Sequence, residues 1–234
     1  MPFKHIVILT GAGISAESGL DTFRDKGGIW SRYTIEEVAT PEAFARDPDL
    51  VHDFYNMRRR TALAAHPNGA HGALARLEAA HPGSVTLITQ NVDDLHEQAG
   101  SRNVLHMHGE LGRVRCTACG AVYGWRQDTG TGTACNGCRA LGGVRPHVVW
   151  FGEVPLYLAE IERHLAASDL FVSIGTSGHV YPAAGFVDMV RRIGRARRVE
   201  LNLEPSLGGS MFDEGFYGRA ATVVPDFVEH LLAT

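Results

Sequence analysis

The run His5-Ile6-Val7-Ile8-Leu9-Thr10-Gly11-Ala12-Gly13-Ile14-Ser15-Ala16-Glu17-Ser18-Gly19 decides how the chain is read. Its first residues are continuously β-branched or aliphatic, the pattern of a strand buried on both faces. Gly11 and Gly13 follow at once, and then a helix start. Strand, glycine turn and helix start form the dinucleotide arrangement, in which backbone N–H groups approach a pyrophosphate that side chains would hold away. A plain tight turn would read the same way, since glycines punctuate turns everywhere. The third glycine is displaced from G-x-G-x-x-G, and no acidic residue closes a second strand about 20 residues on, which argues against a hydride-transferring domain.

Outward from this run, other apolar segments end in the same manner. Val85 to Ile88 stops in Gln90, Asn91, Asp93 and Asp94, and a second polar knot, His106-Met107-His108-Gly109-Glu110, follows. Asp169 to Ile174 ends in Gly175-Thr176-Ser177, and the run from Val199 to Leu203 ends in Asn202 and Glu204. Ala221 to Val224 reads as a last short strand before a closing helix. Strands that each finish in small or polar residues are what one ligand across the carboxyl ends of a parallel sheet requires. The expected fold is therefore α/β. Between the first two strands, Pro41 opens a helix, and Leu50, Val51, Phe54 and Met57 recur at helical spacing, with Tyr55 and Arg58 on one neighbouring face. Arg58-Arg59-Arg60 reads as a solvated helix end, and a further amphipathic helix runs from Ala70 to Ala80. Val144 to Glu153 is either a core strand or a segment that pairs with an extended peptide.

Bulk properties narrow the class. The 234 residues, 44% hydrophobic, supply one large core. A net charge of -4 excludes a protein devoted to coating nucleic acid, so no dedicated nucleic-acid site is expected. No apolar run is long enough for a membrane span, and a cytoplasmic protein is expected. All 4 cysteines fall in two Cys-x-x-Cys pairs, Cys116 with Cys119 and Cys135 with Cys138. That spacing signals one tetrahedral zinc ion, and four thiolates leave no open position, so the metal is structural.

With these residues in place, the sequence resembles the sirtuin family of NAD-dependent protein deacylases from about Ile6 to Phe227. The likeness rests on GAGIS with AESG, TFRD, TQNVD, HMHGE, the cysteine pairs, VVWFGE, GTS and LNLEP, in family order. It implies a Rossmann-like parallel-sheet domain (residues 1–24, 61–110 and 147–234) with a small inserted domain, a helical insertion plus a zinc ribbon (residues 25–60 and 111–146). By the same resemblance Gly11, Ala12, Gly13, Glu17, Thr22, Phe23, Arg24, Gln90, Asn91, Val92, Asp93, Gly175, Thr176, Ser177, Asn202, Leu203, Glu204 and Ala220 would hold NAD. His108 would be the general base, with Asn91 and Asp93 holding ribose and a water. Val149, Trp150 and Phe151 would line the acyl-lysine tunnel, the substrate being a protein or peptide bound in extended form by a monomeric enzyme.

Ala39, Tyr55 and Arg58 match the subgroup that removes succinyl and malonyl groups. A guanidinium and a phenol can hydrogen-bond a second carboxylate, and Ala39 leaves room for the longer chain. Acetyl is expected to be accepted as well. Asp21 stands where the family usually has proline. His106, two residues before His108, is separated from it by motif alone. Two other outcomes remain at this level: mono-ADP-ribosyl transfer from the same co-substrate, and a non-catalytic NAD-sensing module.

Overall fold

The computed structural model describes residues 3–22, 28–29 and 32–233. In chain order the elements are β1 (His5–Thr10), α1 (Ile35–Val38), α2 (Pro41–Arg46), α3 (Pro48–Ala64), α4 (Gly69–Ala80), β2 (Ser84–Thr89), α5 (Leu95–Gln98), β3 (Val104–His106), β4 (Gly109–Cys116), β5 (Val122–Gly124), β6 (Val144–Val148), α6 (Leu158–Ala167), β7 (Leu170–Ile174), α7 (Phe186–Ile193), β8 (Arg197–Asn202), β9 (Glu214–Tyr217) and α8 (Ala220–Leu232). Six strands form one sheet in the order β3-β2-β1-β7-β8-β9, every neighbouring pair parallel. The order reverses direction at β1, which lies between β2 and β7. The crevice beyond β1 and β7 is thus the topological switch point where a ligand is expected.

Alternation along β1 builds two cores. Ile6 and Ile8 pack with Leu74 and Leu77 of α4 and Val224 and Val228 of α8, while Val7 and Leu9 face Ile161, Leu165, Val187 and Val190 of α6 and α7. Covering both faces is what all-parallel sheets require, and it explains the unbroken apolar run of β1. The expected strand at Ala221 to Val224 is instead part of α8. Its β-branched residues suit either state locally, but Val224 and Val228, four apart, fill the groove on α4. The last strand is β9.

A second sheet, β5-β4-β6, is antiparallel and carries the cysteines. Its own core consists of Val114, Cys116, Cys135 and Val144, with Tyr123 and Trp125 against it. A third cluster joins Val38, Ala43, Val51, Phe54 and Tyr55 of the helical segment to Leu111, Val148 and Trp150. The helices there begin at local signals. Thr40 Oγ1 accepts from the Ala43 N–H ahead of Pro41, and Asp47 Oδ1 accepts from the Leu50 N–H ahead of Pro48.

The arginine run is not a solvated helix end. Arg59 is 1% exposed and donates to the Leu111 carbonyl (2.8 Å), Asn56 Oδ1 (2.8 Å) and the Gln127 carbonyl (3.3 Å). Asn56 in turn holds both backbone groups of Thr129, and His52 Nδ1 meets the Thr129 hydroxyl at 2.9 Å. Arg60 pairs with Asp128 at the surface. Side chains at positions 52, 56, 59 and 60 therefore strap α3 to the loop between the two cysteine pairs. Helical periodicity could not reveal this, because most of the partners lie on a loop about seventy residues away in sequence.

Candidate active site

The carboxyl ends of β1, β2, β7 and β8 converge on one another before they meet any ligand. The Gln90 N–H donates to the Thr10 carbonyl, Gln90 Nε2 to Thr176 Oγ1 at 3.0 Å, and Asn202 Nδ2 to the Thr176 carbonyl at 2.8 Å. After β1 the chain makes two short 3-10 turns, Ala12–Ile14 and Ala16–Ser18, rather than the expected helix. Gly19, in the left-handed region at φ 83°, ends the second turn. The glycines serve a packing purpose here. A Cβ on Gly11 would lie 2.8 Å from the Gly175 carbonyl oxygen, and one on Gly13 2.8 Å from Gly175 Cα. The two glycine loops interlock at the switch point, and the Gly13 N–H donates to the Gly175 carbonyl at 2.8 Å.

Above them opens a cleft of about 730 Å³. It brings together Gly11, Ala12, Gly13, Glu17, Thr22, Gln90, Asn91, Val92, Asp93, Gly175, Thr176, Ser177, Asn202, Leu203, Glu204 and Ala220, along with His108, Ala39, Tyr55, Arg58, Val149, Trp150 and Phe151. Phe23 and Arg24 lie outside the described residues. Glu17 lines the cleft, and its Oε2 accepts from the Ala221 N–H at 2.8 Å, capping α8. Asp21 Oδ2 accepts from the Ile29 N–H at 2.9 Å.

The two histidines differ in kind. His106 is buried, with Nδ1 3.2 Å from the Asn91 carbonyl and Nε2 2.8 Å from Glu97 Oε1. Both nitrogens face acceptors, so both must donate. Burial favours its neutral ring, but the Glu97 hydrogen bond and charge, with Glu110 and the Asn91 carbonyl, outweigh burial and hold the pKa above its usual value. His108 has Nδ1 3.2 Å from the Gln90 carbonyl. A carbonyl only accepts, so Nδ1 carries the proton and Nε2 keeps its lone pair at the cleft. Burial lowers the His108 pKa against the opposing pull of that carbonyl, which favours the neutral ring.

Asn91 and Asp93 are held by a residue the sequence analysis passed over. Asn91 Nδ2 donates to Ser15 Oγ at 3.1 Å, and Ser15 Oγ donates to Asp93 Oδ2 at 3.3 Å. The second Asp93 oxygen accepts from the Leu95 N–H at 3.2 Å. Burial raises the Asp93 pKa, offset in part by the Leu95 N–H, by His106 and by Ser15. A hydroxyl two residues past the second loop glycine was the available signal for Ser15.

At the other end of the cleft, Ala39 and Tyr55 are fully buried and Arg58 is half-buried. The Arg58 guanidinium stands 5.6 Å from the Phe54 ring centre and 5.7 Å from that of Tyr55. Burial lowers its pKa, while Tyr55 and Asp93 pull the other way. The facing wall is pinned on both sides, by Val149 N–H to the His108 carbonyl (2.9 Å) and Phe151 N–H to the Ala39 carbonyl (3.0 Å). Glu153 accepts from the Trp150 N–H and from Arg145, whose guanidinium lies 3.2 Å above the Trp150 ring centre. Of the segment left open between core strand and peptide partner, Val144–Val148 pairs with β4, while Val149 to Phe151 face the cleft.

The four cysteines lie apart from the cleft, with their sulfur atoms within 4.8 Å of one another. Cys116 and Cys138 are 3.7 Å apart and Cys119 and Cys135 3.8 Å. A tetrahedron with Zn–S bonds of about 2.3 Å has edges of about 3.8 Å, which these two separations match, so the donor set and its spacing fit a zinc ion. No helix among the described residues is long and apolar enough to cross a membrane.

Comparison with known proteins agrees with this geometry. The Sir2 family model matches residues 11–182. The chain is 58% identical over 234 residues to an NAD-dependent protein deacylase of Caulobacter vibrioides, with 97% of each chain covered. It is 54% identical over 234 residues to the NAD-dependent protein deacylase SIR2rp3 of Leishmania major, with 98% and 96% covered. Among solved structures, a Sir2 homolog–NAD complex is similar with a TM-score of 0.90 at 42% identity, covering 98% of this chain and 90% of that one. A Sir2 protein bound to an acetylated peptide gives 0.81 at 28% identity, covering 99% and 93%.

Proposed function

Since the chain belongs to the Sir2 family and is an NAD-dependent protein deacylase, we propose that it removes succinyl and malonyl groups from lysine side chains in preference to acetyl. What carries this is the placement of Tyr55 and Arg58 at the end of the same cleft that holds His108, Gln90, Asn91 and Asp93. A half-buried guanidinium beside a buried phenol suits an acyl chain ending in a carboxylate, and the small side chain of Ala39 leaves space for it. NAD supplies a ribose carbon whose bond to nicotinamide breaks as the acyl oxygen takes its place; one water is then consumed at the acyl carbon as its bond to the lysine nitrogen breaks, and the products are nicotinamide, free lysine and O-acyl-ADP-ribose. His108 Nε2 takes the proton from a ribose hydroxyl. Asn91 and Asp93, fixed through Ser15, orient that ribose and a water. The interlocked glycine loops receive the pyrophosphate, and Asn202 to Glu204 with Ala220 receive the adenosine. Val149 to Phe151, whose N–H groups are all held internally, form the wall along which the acyl-lysine of an extended substrate would lie.

The proposed large domain then comprises residues 1–24, 61–110 and 147–234, with residues 25–60 and 111–146 as the small one. The proposed enzyme acts as a monomer. A zinc-binding thiolate quartet suits a reducing compartment, hence the cytoplasm.

The test is nicotinamide release from NAD with matched acetyl-, malonyl- and succinyl-lysine peptides. Arg58→Met is expected to lower kcat/KM on the two acidic peptides by about 10- to 100-fold, the worth of a hydrogen bond to a charged group, and to leave acetyl nearly unchanged. Equal rates on all three, untouched by the substitution, would overturn the preference. Mono-ADP-ribosyl transfer would give labelled protein instead of O-acyl-ADP-ribose.

A pH profile offers an independent check. Because the base must be neutral and burial lowers its pKa, kcat/KM is expected to fall only toward acid, with its midpoint below the 6.5 of an ordinary imidazole. A midpoint above 6.5 would point to His106, whose pKa shifts the other way.

A further inference from the structure

Glu200 lies in the middle of β8, and only 1% of it is exposed. Its partners among the described residues are uncharged. The Ser206 N–H reaches its two oxygens at 3.3 and 3.4 Å, and the Tyr217 hydroxyl donates to Oε2 at 3.1 Å. The surroundings make room for this. Gly215 is the register partner of Glu200 on β9, and a Cβ there would overlap the Tyr217 hydroxyl. The missing side chain lets the Tyr217 ring fold back across the strand. A Cβ on Gly209 would lie 3.5 Å from Glu200 Oε2 on the other side.

Burying a carboxylate without a cation is a poor way to stabilise a fold, since desolvation opposes it and only hydrogen bonds compensate. What the carboxylate does here is join two loops. Ser206 belongs to the loop that begins with Leu203 and Glu204, and Tyr217 immediately precedes Gly218, Arg219 and Ala220. Leu203, Glu204 and Gly218 to Ala220 all line the end of the cleft beyond Asn202. On the reading above, the reacting ribose lies by His108 and the pyrophosphate over the glycine loops, so this end receives the adenosine. We infer that Glu200 is a positioning residue for the adenosine half of NAD, setting the separation of the two loops that enclose it.

An ionised carboxylate accepts from both loops at once. An amide oxygen in the place of Oε2 still reaches both donors, but it is uncharged, and the NH2 beside it faces the Ser206 N–H donor to donor, so glutamine holds the two loops more weakly. Glu200→Gln is therefore expected to raise the KM for NAD about tenfold, in line with hydrogen bonds to a charged acceptor. The kcat at saturating NAD and the KM for the acyl peptide should stay near wild type. Tyr217→Phe removes one hydroxyl from a half-exposed ring and is expected to raise the KM for NAD about threefold, the worth of one ordinary hydrogen bond. It keeps the test open if glutamine at position 200 prevents folding. Direct binding of ADP-ribose should weaken in parallel. The inference, which rests on NAD occupying this cleft, is overturned if wild type turns over while the folded variants keep its KM for NAD. It is equally overturned if peptide KM, kcat and melting temperature move together, as a merely structural role predicts. A wild type that binds neither NAD nor ADP-ribose would instead sink the underlying reading.

Discussion

Alanine in place of His108 is expected to lower kcat by about a thousandfold, within the range a positioned general base contributes, while NAD still binds. The expectation follows from hydrogen-bond directions. The Gln90 carbonyl fixes the proton on Nδ1 and leaves Nε2 as the acceptor at the cleft. His106 cannot substitute, because Asn91 and Glu97 occupy both its nitrogens. His106→Ala should lower stability and disturb Asn91 without removing turnover. Steady-state kinetics on both variants, with NAD binding by calorimetry, decides the matter. A live His108→Ala beside a dead, folded His106→Ala would reverse the assignment.

Cys116→Ala should abolish activity altogether. Binding of zinc by four thiolates contributes roughly 10 to 16 kcal/mol to small sites of this kind, and the ribbon has only Val114, Val144 and two of the cysteines as its own buried core. With the metal lost, the loop carrying Gln127, Asp128 and Thr129 loses its frame, and Arg59 and Asn56 lose the groups they bind. Helix α3, and with it Tyr55 and Arg58, is then no longer held against the cleft. Metal analysis, circular dichroism and deacylation of both acetyl and succinyl peptides measure this chain of effects. A variant that remains folded and zinc-loaded would refute it.

Much of this was legible beforehand, for reasons that differ from element to element. β1, β2, β7 and β8 announced themselves because strands buried on both faces need unbroken apolar runs. Their polar ends located the cleft, and the cysteine spacing located the metal site. Ala221 to Val224 misled because β-branched residues carry no long-range information, and only α4 decides that they are helical. The 3-10 turns after Gly11 were hidden for the same reason, since their shape comes from packing on Gly175. Arg59 looked like surface because two of its three acceptors, the Leu111 and Gln127 carbonyls, are distant in sequence. The roles of Ser15 and Glu200 depend on which side chains adjoin across strands, and no local pattern encodes that.

The strand order has a consequence for synthesis. Ile6 of β1 pairs with Val85 on one side and with Leu170 on the other. At a translation rate of roughly 5 to 20 residues per second, the second neighbour is made roughly 10 to 30 seconds after the strand it must flank. Until β2 is made both edges of this apolar segment are open, and from then until β7 is made one edge remains so. The strand that organises the finished enzyme thus carries an unpaired edge through most of its own chain's synthesis.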